Sequence, residues 1–348
     1  MRLDHIFDLE VRFKEFFFPR GSAGSDFHAF CIGEGAVTGG KLRGTLRWTN
    51  RARRRDDGKR IELGKVIQNS GTWLPHFDGV IRTDDGVELL FSFAGYNMST
   101  GIKEAWHHRA ITARITFTTR DDRYLWLNNV YGLLVGRGSW PVDEANFLSI
   151  QQTGRYKDDE IWQLSGFACV NEVVGPSPQP VSSSSQPVSG SVKEEIIAPQ
   201  LRQLFVGDLS IDGSEQFPTS GTDSDWVSYS RYKGVIEGMG FHGEISGIGL
   251  ARRRSDGLWL PKISGKIKTT GGETILVTIR GYRLPVAPQS GKSHHTITAS
   301  ITFQAKDEKF RWLNKVFGLL EGDAKIENAE RWRIRAFECI NPFGSNMR

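Results

Sequence analysis

A twelve-residue sequence occurs twice in the chain, and this repetition constrains the fold more than any other feature. Residues 125–136 read LWLNNVYGLLVG, and residues 311–322 read RWLNKVFGLLEG. The two copies are offset by 186 residues, the separation of Trp126 and Trp312. ITARITF and ITASITF recur at the same offset. Self-similarity of this kind indicates a duplicated domain.

Further matches show where the two copies differ in length. RARRRDDG at 51–58 matches ARRRSDG at 251–257. FACVN in repeat one matches FECIN in repeat two, and neither pair keeps the offset of 186. Repeat one therefore carries extra residues, which we place at 59–71 and 137–160. These two segments are candidate lids, or candidate walls between the repeats.

The segment between the repeats differs in composition from both. Residues 175–195 are dominated by Ser, Pro and Gln. Such a segment cannot bury enough apolar surface to order itself. We predict repeat one over 1–174, a flexible linker over 175–195, and repeat two over 196–348.

Short segments of each repeat alternate apolar and polar residues with a period of two, which is typical of strands with one dry face. The predicted dry-face residues are Val87, Leu89, Phe91, Phe93, Ile111, Ala113, Ile115, Phe117, Ile275, Val277, Ile279, Ile297, Ala299, Ile301 and Phe303. Residues 84–86 and 270–272 are predicted hairpin turns. Half-dry strands joined by tight turns close best into barrels. We expect an all-β fold of two tandem antiparallel β-barrels with few short helices, and a short helical or turn segment plus a strand at each dodecamer.

Composition excludes several classes of protein. The net charge of +5 in 348 residues is mildly basic, well below that of a dedicated nucleic-acid binder. An odd set of three distant cysteines favours neither disulfides nor a zinc site. No signal peptide, membrane span, dinucleotide fingerprint, P-loop or nucleophile elbow is present. We expect a cytoplasmic protein that needs no metal or cofactor, with no nucleic-acid or membrane partner and a possible homodimer.

The order of motifs in each repeat resembles the domain-of-unknown-function family 3237 of bacteria and fungi. In repeat one the resemblance rests on RTDDG at 82–86, Gly95, Phe117, WLN at 126–128 and Gly136. In repeat two the matching residues are 268–272, Gly281, Phe303, WLN at 312–314 and Gly322. Members of this family are small β-barrels. Chains with two such repeats are similar to fungal cyclases that join a tropolone quinone methide to a humulene-type sesquiterpene by a hetero-Diels–Alder reaction.

The candidate site residues are polar and aromatic side chains near predicted strand ends. His107, Arg109 and His295 fall in phase with the dry face, where a histidine could exchange a proton near neutral pH. The candidate catalytic residues are His107, Arg109, Tyr96, His295, Tyr282 and Arg280, and the candidate substrate-binding residues are Trp73, Trp259, Phe91 and Phe93. For each single residue the alternatives are core packing or a strand-end hydrogen bond to the backbone.

These observations favour a cofactor-independent cyclase or lyase acting on small apolar substrates, with the dehydration and hetero-Diels–Alder reaction as the specific expectation. Holding two reactants in a near-attack pose can remove roughly 7–11 kcal/mol of barrier without a cofactor. The alternative is a non-catalytic carrier of apolar ligands. A third possibility is an anion or nucleic-acid binder that uses the arginine clusters at 51–55 and 252–254, although these also suit solvated hairpin tips.

Overall fold

The computed structural model describes residues 1–18, 28–55, 60–63, 66–69, 71–103, 106–141, 155–156, 160–173, 198–218, 226–238, 240–286, 293–326 and 330–344. The all-β prediction is confirmed, because most of these residues lie in antiparallel strands. The predicted linker 175–195 lies outside the described residues, as does most of 137–160, whereas most of 59–71 is described and contains two short paired strands. The described residues contain no helix with the length and apolarity that a membrane crossing requires.

Repeat one forms barrel one, an antiparallel sheet. Its strands are β1 Arg2–Phe17, β2 His28–Thr38, β3 Gly44–Arg54, β4 Arg60–Leu63, β5 Val66–Asn69, β6 Trp73–Leu74, β7 His76–Thr83, β8 Glu88–Lys103, β9 Trp106–Thr118, β10 Gly132–Pro141, β11 Arg155–Tyr156 and β12 Ile161–Val170. The strand path is β11-β1-β12-β10-β9-β8-β6-β3-β2. A further pairing between β1 and β2 makes this path return on itself, and β7 pairs with β3 and β8. A separate hairpin consists of β4 and β5.

Repeat two forms barrel two, a closed ring in which each of eight strands pairs with the next along the chain. Closure leaves no strand edge in the ring unpaired, which removes the hazard of edge-to-edge association. The strands are β13 Gln200–Pro218, β14 Trp226–Gly238, β15 Phe241–Arg253, β16 Trp259–Thr269, β17 Thr274–Val286, β18 Ser293–Ala305, β19 Phe317–Ile326 and β20 Glu330–Ile340.

The predicted dry faces are the barrel interiors. Leu89 and Phe93 of β8 and Ile111, Ala113 and Ile115 of β9 are buried in one cluster. Their counterparts in β17 and β18 are buried in a second cluster. The period-two pattern identified the core-facing residues correctly, although parts of the opposite faces are also buried, including Tyr96, Thr112 and Tyr282.

Tight turns occur at residues 84–86 and 270–272, as the sequence predicts. Gly86 and Gly272 have φ angles of 85° and 92°. This left-handed backbone is readily accessible to glycine and costly for residues with a Cβ. The turns join β7 to β8 and β16 to β17 at matching points of the two barrels.

Each dodecamer is a short 3₁₀ helix followed by a strand, as predicted. Helix η1 spans Leu125–Asn129 and helix η2 spans Glu308–Lys315, and η3, Pro342–Gly344, follows β20. The asparagine side chain of each WLN motif forms hydrogen bonds with the backbone at the end of the preceding strand. Asn128 receives a hydrogen bond from the Thr119 backbone N–H at 2.8 Å and donates one to the Thr119 carbonyl at 2.9 Å.

Asn314 makes the same pair of bonds with Ala305, at 2.6 and 3.0 Å. Leu127 and Leu313 of the same motif are fully buried in the two cores. The dodecamer is therefore repeated because it closes one end of each barrel with a buried leucine and a bidentate asparagine.

The chain forms two compact units, and each contains one barrel with a short segment from elsewhere in the sequence. The unit with barrel two includes Met1–Leu3 and the described part of Cys169–Gln186. Within it, Asn171 Nδ2 donates to the carbonyls of Ile297 at 2.8 Å and Gly322 at 2.7 Å.

The unit with barrel one includes the described part of Ile340–Arg348. Within it, Asn341 Nδ2 donates to the carbonyls of Ile111 at 2.7 Å and Gly136 at 3.1 Å. Residues 111 and 136 match 297 and 322 at the offset of 186. The terminal asparagines of FACVN and FECIN therefore fill equivalent positions, one in each unit.

Candidate functional site

A group of polar and aromatic side chains lies inside one end of barrel two. Trp259 in β16 is directly opposite Arg283 in β17, so their side chains share one face of the sheet. Both His295 in β18 and Trp332 in β20 are opposite the buried Ala324 of β19. Strand register therefore brings residues from five consecutive strands to the same inner surface.

Hydrogen bonds connect these side chains. The Glu330 carboxylate accepts from Trp332 Nε1 at 2.6 Å and pairs with Arg283 Nη1 at 2.7 Å. Arg283 Nη2 lies 3.4 Å from His295 Nδ1. The guanidinium thus joins a carboxylate to an imidazole.

His295 is held in its neutral form. Burial lowers its pKa to about 4, and the nearby charges of Arg283 and His294 add to this effect. Because Arg283 can only donate, Nδ1 of the neutral ring accepts and Nε2 carries the proton. No partner for Nε2 is found among the described residues, so its N–H is available to a ligand.

Tyr232 in β14 completes the group. Its ring meets Trp332 edge to face, with centroids 5.0 Å apart. A Cβ on Gly249 would lie 2.2 Å from Tyr232 Cε2, so this ring position requires glycine at 249. Burial and the charge of Glu330 raise the pKa of Tyr232, and its hydroxyl therefore stays protonated. We call Tyr232, Arg283, His295, Glu330 and Trp332 the barrel-two network.

Barrel one carries a related but different arrangement. At the offset of 186, Asn97 occupies the position of Arg283, and Arg109 that of His295. Arg109 Nε donates to Asn97 Oδ1 at 2.5 Å, and Arg109 Nη2 donates to the carbonyls of Asn97 and Gly71, both at 3.0 Å. Its guanidinium lies 5.3 Å from the centre of the Trp140 ring.

His107 lies next to this arginine. Its Nε2 is 2.7 Å from Ser99 Oγ, and its ring packs on Trp140. Burial lowers the pKa of His107 to about 3, with further contributions from Arg109 and His108. Nδ1 of His107 is buried and has no partner among the described residues.

Solvent access separates the two arrangements. Arg109 and His107 are 1% and 0% exposed. The Arg283 and Glu330 side chains are 12% and 17% exposed, and His295 is 9% exposed. The interior of barrel one is also filled with aromatic rings, including the stacked pair Phe77 and Phe93, 4.0 Å between centroids. Barrel two therefore has the more accessible set of reactive groups.

The structure brings together only part of the predicted site. His107 and Arg109 lie together with Trp73, which is directly opposite Asn97. In barrel two, His295 and Trp259 lie near Arg283. Phe91 and Phe93 are core residues of barrel one.

Tyr96, Tyr282 and Arg280 lie on the opposite faces of their strands. Tyr96 precedes the inward Asn97, and Tyr282 precedes the inward Arg283, so alternation turns both tyrosines to the outer face of the sheet, where both are buried. Arg280 is exposed on the outer surface. The structure does not bring these three residues together with the interior groups.

Four members of the barrel-two network were missed: Tyr232, Arg283, Glu330 and Trp332. A signal for two of them exists in the sequence, because Glu-Ile-Trp at 160–162 recurs as Glu-Arg-Trp at 330–332. In both copies the glutamate accepts a hydrogen bond from the indole N–H two residues later. Tyr232 and Arg283 are not repeated as the same residue types in repeat one, where Asn97 stands at the position of Arg283, and they leave no repeat signal.

Cysteines and arginine clusters lie apart from the network. Cys31, Cys169 and Cys339 are buried free thiols, and burial is the main cause that raises the pKa of each. Arg51, Arg53, Arg252 and Arg253 are exposed. Arg254 is paired with Asp256 inside its own turn, which suits a hairpin tip.

Two shallow grooves occur on the outer face of barrel one. One, of about 320 Å³, includes Lys14, Trp48 and Arg47, and the other, of about 400 Å³, includes Leu90 and Phe91. They share Asp78, Gly79 and Val80. Phe91 is the one predicted site residue that lines either groove, and neither groove opens on the barrel-two network.

No protein-family model and no curated protein matches the chain. Several solved structures are similar to it. A beta-barrel-like protein from Acinetobacter baumannii AYE is 18% identical, with a TM-score of 0.36, over 42% of this chain and 99% of that one. A conserved protein of unknown function from Rhodopseudomonas palustris is 15% identical, with a TM-score of 0.36, over 41% and 99%. An enzyme from Penicillium herquei is 24% identical, with a TM-score of 0.30, over 41% and 99%.

Proposed function

We propose that the chain is a cofactor-independent enzyme that acts on a small organic substrate at the barrel-two network. The observation that carries this proposal is the accessible link from Glu330 through Arg283 to His295. Packing the interior of a barrel requires only apolar side chains, yet this end of barrel two contains a guanidinium, a neutral imidazole and a protonated phenol. Buried polar groups of this kind are costly unless they are satisfied or used.

The electrostatics favour stabilisation of an oxygen that gains negative charge. The His295 Nε2–H, the Arg283 guanidinium and the Tyr232 hydroxyl are all donors, and none of them needs to lose a proton near pH 7. Preorganised donors in a dry site can contribute about 2.7–4 kcal/mol each to the transition state. Glu330 is the acceptor of the group, and it holds Arg283 and Trp332 in place.

Within this class we propose the dehydration and hetero-Diels–Alder cyclisation that the family resemblance implies. Loss of water from a hydroxymethyl tropolone moves a proton from the ring hydroxyl to the departing hydroxyl and leaves a quinone methide. Donors around the ring oxygens would stabilise the charge that develops during this loss. The humulene-type alkene would then add across the diene, with Trp259 and Trp332 as aromatic walls for the apolar partners.

A carrier without chemistry is the second candidate, because barrels often hold apolar ligands and a fold does not fix a function. The observation that favours it is the apolar core of barrel two beyond the network, in which isoleucine is the most frequent residue. A carrier would bind ligand without accelerating any reaction. Turnover therefore separates the two candidates.

The test is a product assay by chiral chromatography and mass spectrometry. Purified protein is mixed with a hydroxymethyl tropolone and a humulene-type alcohol beside a protein-free control. We expect a single-enantiomer dihydropyran adduct formed faster than in the control. A racemic adduct at the control rate would remove this reaction, and tight binding of either reactant without turnover would favour the carrier.

A further inference from the structure

The outer surface of barrel two has a strongly basic side. On strands β14–β17 the outward-pointing charged residues are the cations Arg231, Lys233, Arg252, Lys262, Lys266, Lys268 and Arg280 and the anions Glu237 and Glu244. Seven cations against two anions give this surface a net charge of +5, equal to that of the whole chain. We call it the basic face.

Exposed apolar side chains lie among these cations. Strand register places Leu250 between Tyr229 and Lys262, and Lys266 between Ser246 and Leu276. Ile248, Leu250 and Leu276 are each about half exposed. An apolar cluster mixed with cations on one sheet face is unusual for a surface that meets only water.

On the basic face, Lys233 pairs with Asp212 of β13 at 3.1 Å, whereas the three lysines of β16 are not paired in this way within the described part of the chain. No ion pair or hydrogen bond is found for Lys262, Lys266 or Lys268 among the described residues. At the offset of 186, Lys262 and Lys266 correspond to His76 and Val80 of barrel one. The same fold forms in repeat one without these two cations, so the architecture does not require them.

We propose that the basic face docks on the surface of an anionic lipid membrane. Lysines near such a surface are attracted by the negative headgroups, and aliphatic side chains enter the boundary between headgroups and acyl chains. The exposed apolar members are chiefly aliphatic, with Tyr229 as the aromatic one. This composition suits acyl chains better than nucleic-acid bases, which need aromatic platforms.

This inference departs from the sequence-based expectation that the chain has no membrane partner. That expectation came from the search for spanning segments and signal peptides. Surface docking needs neither of them. It depends on outward-facing residues that lie far apart in the sequence and become neighbours only when their strands pair in the sheet. It does not depend on the proposed catalytic function.

The test is vesicle co-sedimentation of the full chain. The vesicles contain phosphatidylcholine alone or an equimolar mixture with phosphatidylserine, at low and high salt. Wild-type protein is expected to bind the mixed vesicles, to bind the neutral ones much less, and to be released by salt. Each lysine neutralised is expected to lower the partition coefficient about fivefold, so K262Q/K266Q/K268Q should lower it on the order of 100-fold.

A matched control carries the same loss of charge elsewhere. Lys41, Lys306 and Lys315 are exposed, and K41Q/K306Q/K315Q is expected to bind within about twofold of wild type because these residues lie off the basic face. I248S/L250S tests the apolar contribution and should weaken binding with the charge unchanged. Thermal melts of every variant verify that it is folded.

Three results would overturn the proposal. The first is no binding of wild type to the mixed vesicles. The second is an equal loss of vesicle binding in K262Q/K266Q/K268Q and K41Q/K306Q/K315Q, which would indicate that binding depends only on the net charge of the protein. The third is binding to duplex DNA that K262Q/K266Q/K268Q abolishes while vesicle binding is unchanged, which would assign the face to nucleic acid.

Discussion

At the residue scale, one pair of positions distinguishes the two barrels. Barrel one has Asn97 and Arg109 where barrel two has Arg283 and His295. In each barrel an arginine occupies one of these two positions and a neutral residue occupies the other. The arginine lies on β9 in barrel one but on β17 in barrel two, and these are different strands of the repeat. In barrel one the guanidinium is completely buried, whereas in barrel two it pairs with Glu330 near the opening.

Arg283 is expected to keep the pKa of His295 low. Replacing it in R283M removes a positive charge beside the imidazole, so the pKa of His295 should rise above about 4 while burial, the larger cause, still keeps it below the ordinary histidine value. The unpaired Glu330 carboxylate would raise it further. R283K keeps the charge and should leave the pKa close to the wild-type value.

The measurement is an NMR titration of the histidine ring protons, with the His295 signal assigned from its loss in H295Q. A His295 pKa that is the same in R283M and wild type would show that Arg283 does not set it. This readout is independent of catalysis. It therefore tests the electrostatics of the network even if the substrate is wrong.

His107 is expected to make the protein less stable in acid. Its pKa is about 3 in the folded protein and about 6.5 in the unfolded chain, so the unfolded chain binds the proton first as the pH falls. The free energy of unfolding should therefore drop by up to about 1.4 kcal/mol per pH unit between about pH 6 and pH 4 from this group.

The variant H107N cannot take up this proton. Urea unfolding of H107N and wild type at pH 7 and pH 4 measures the difference, and H107N should lose less stability than wild type over that interval. H108Q, at the neighbouring and more exposed position, should follow wild type. Parallel pH dependence in H107N and wild type would contradict the account.

At the element scale, the strands were predictable and their partners across the interior were not. Alternation identified β8, β9, β17 and β18, because the inward face of each strand is apolar along its middle. It also placed His107, Arg109 and His295 inside. Arg283 continues the inward phase of Ile279 in the same way, but the sequence does not show that it lies beside Trp259 and His295. That assignment needs the register with β16 and β18.

The repeated asparagines at the ends of β12 and β20 give a prediction about these elements. N341A removes the hydrogen bonds to the Ile111 and Gly136 carbonyls and should lower the free energy of unfolding by about 1–3 kcal/mol. N171A should have a similar effect, since its bonds to Ile297 and Gly322 are equivalent.

The exposed Asn129 provides the control for these two variants, and N129A should change the stability by less than about 0.5 kcal/mol. Urea unfolding followed by tryptophan fluorescence measures all three. If N341A and N171A are as stable as N129A, the asparagines do not hold these segments in place.

At the scale of the whole molecule, the duplication explains the architecture better than it explains the chemistry. What the repeats share are strands, turns, the dodecamer and the terminal asparagine, and all of these are structural. The interior polar residues differ between the two repeats, so similarity between the repeats does not reveal them. Glu160 and Glu330 are an exception, because both repeats keep the carboxylate that binds an indole N–H.

The proposal that chemistry takes place at the barrel-two network can be tested by one kinetic measurement. It is kcat/KM for dihydropyran formation by wild type, H295Q and the control H108Q, with thermal melts to verify folding. We predict a fall of about 10²–10³-fold in H295Q, the loss expected for one preorganised donor, and no change in H108Q. A folded H295Q that makes the same enantiomer at the wild-type rate would contradict the claim.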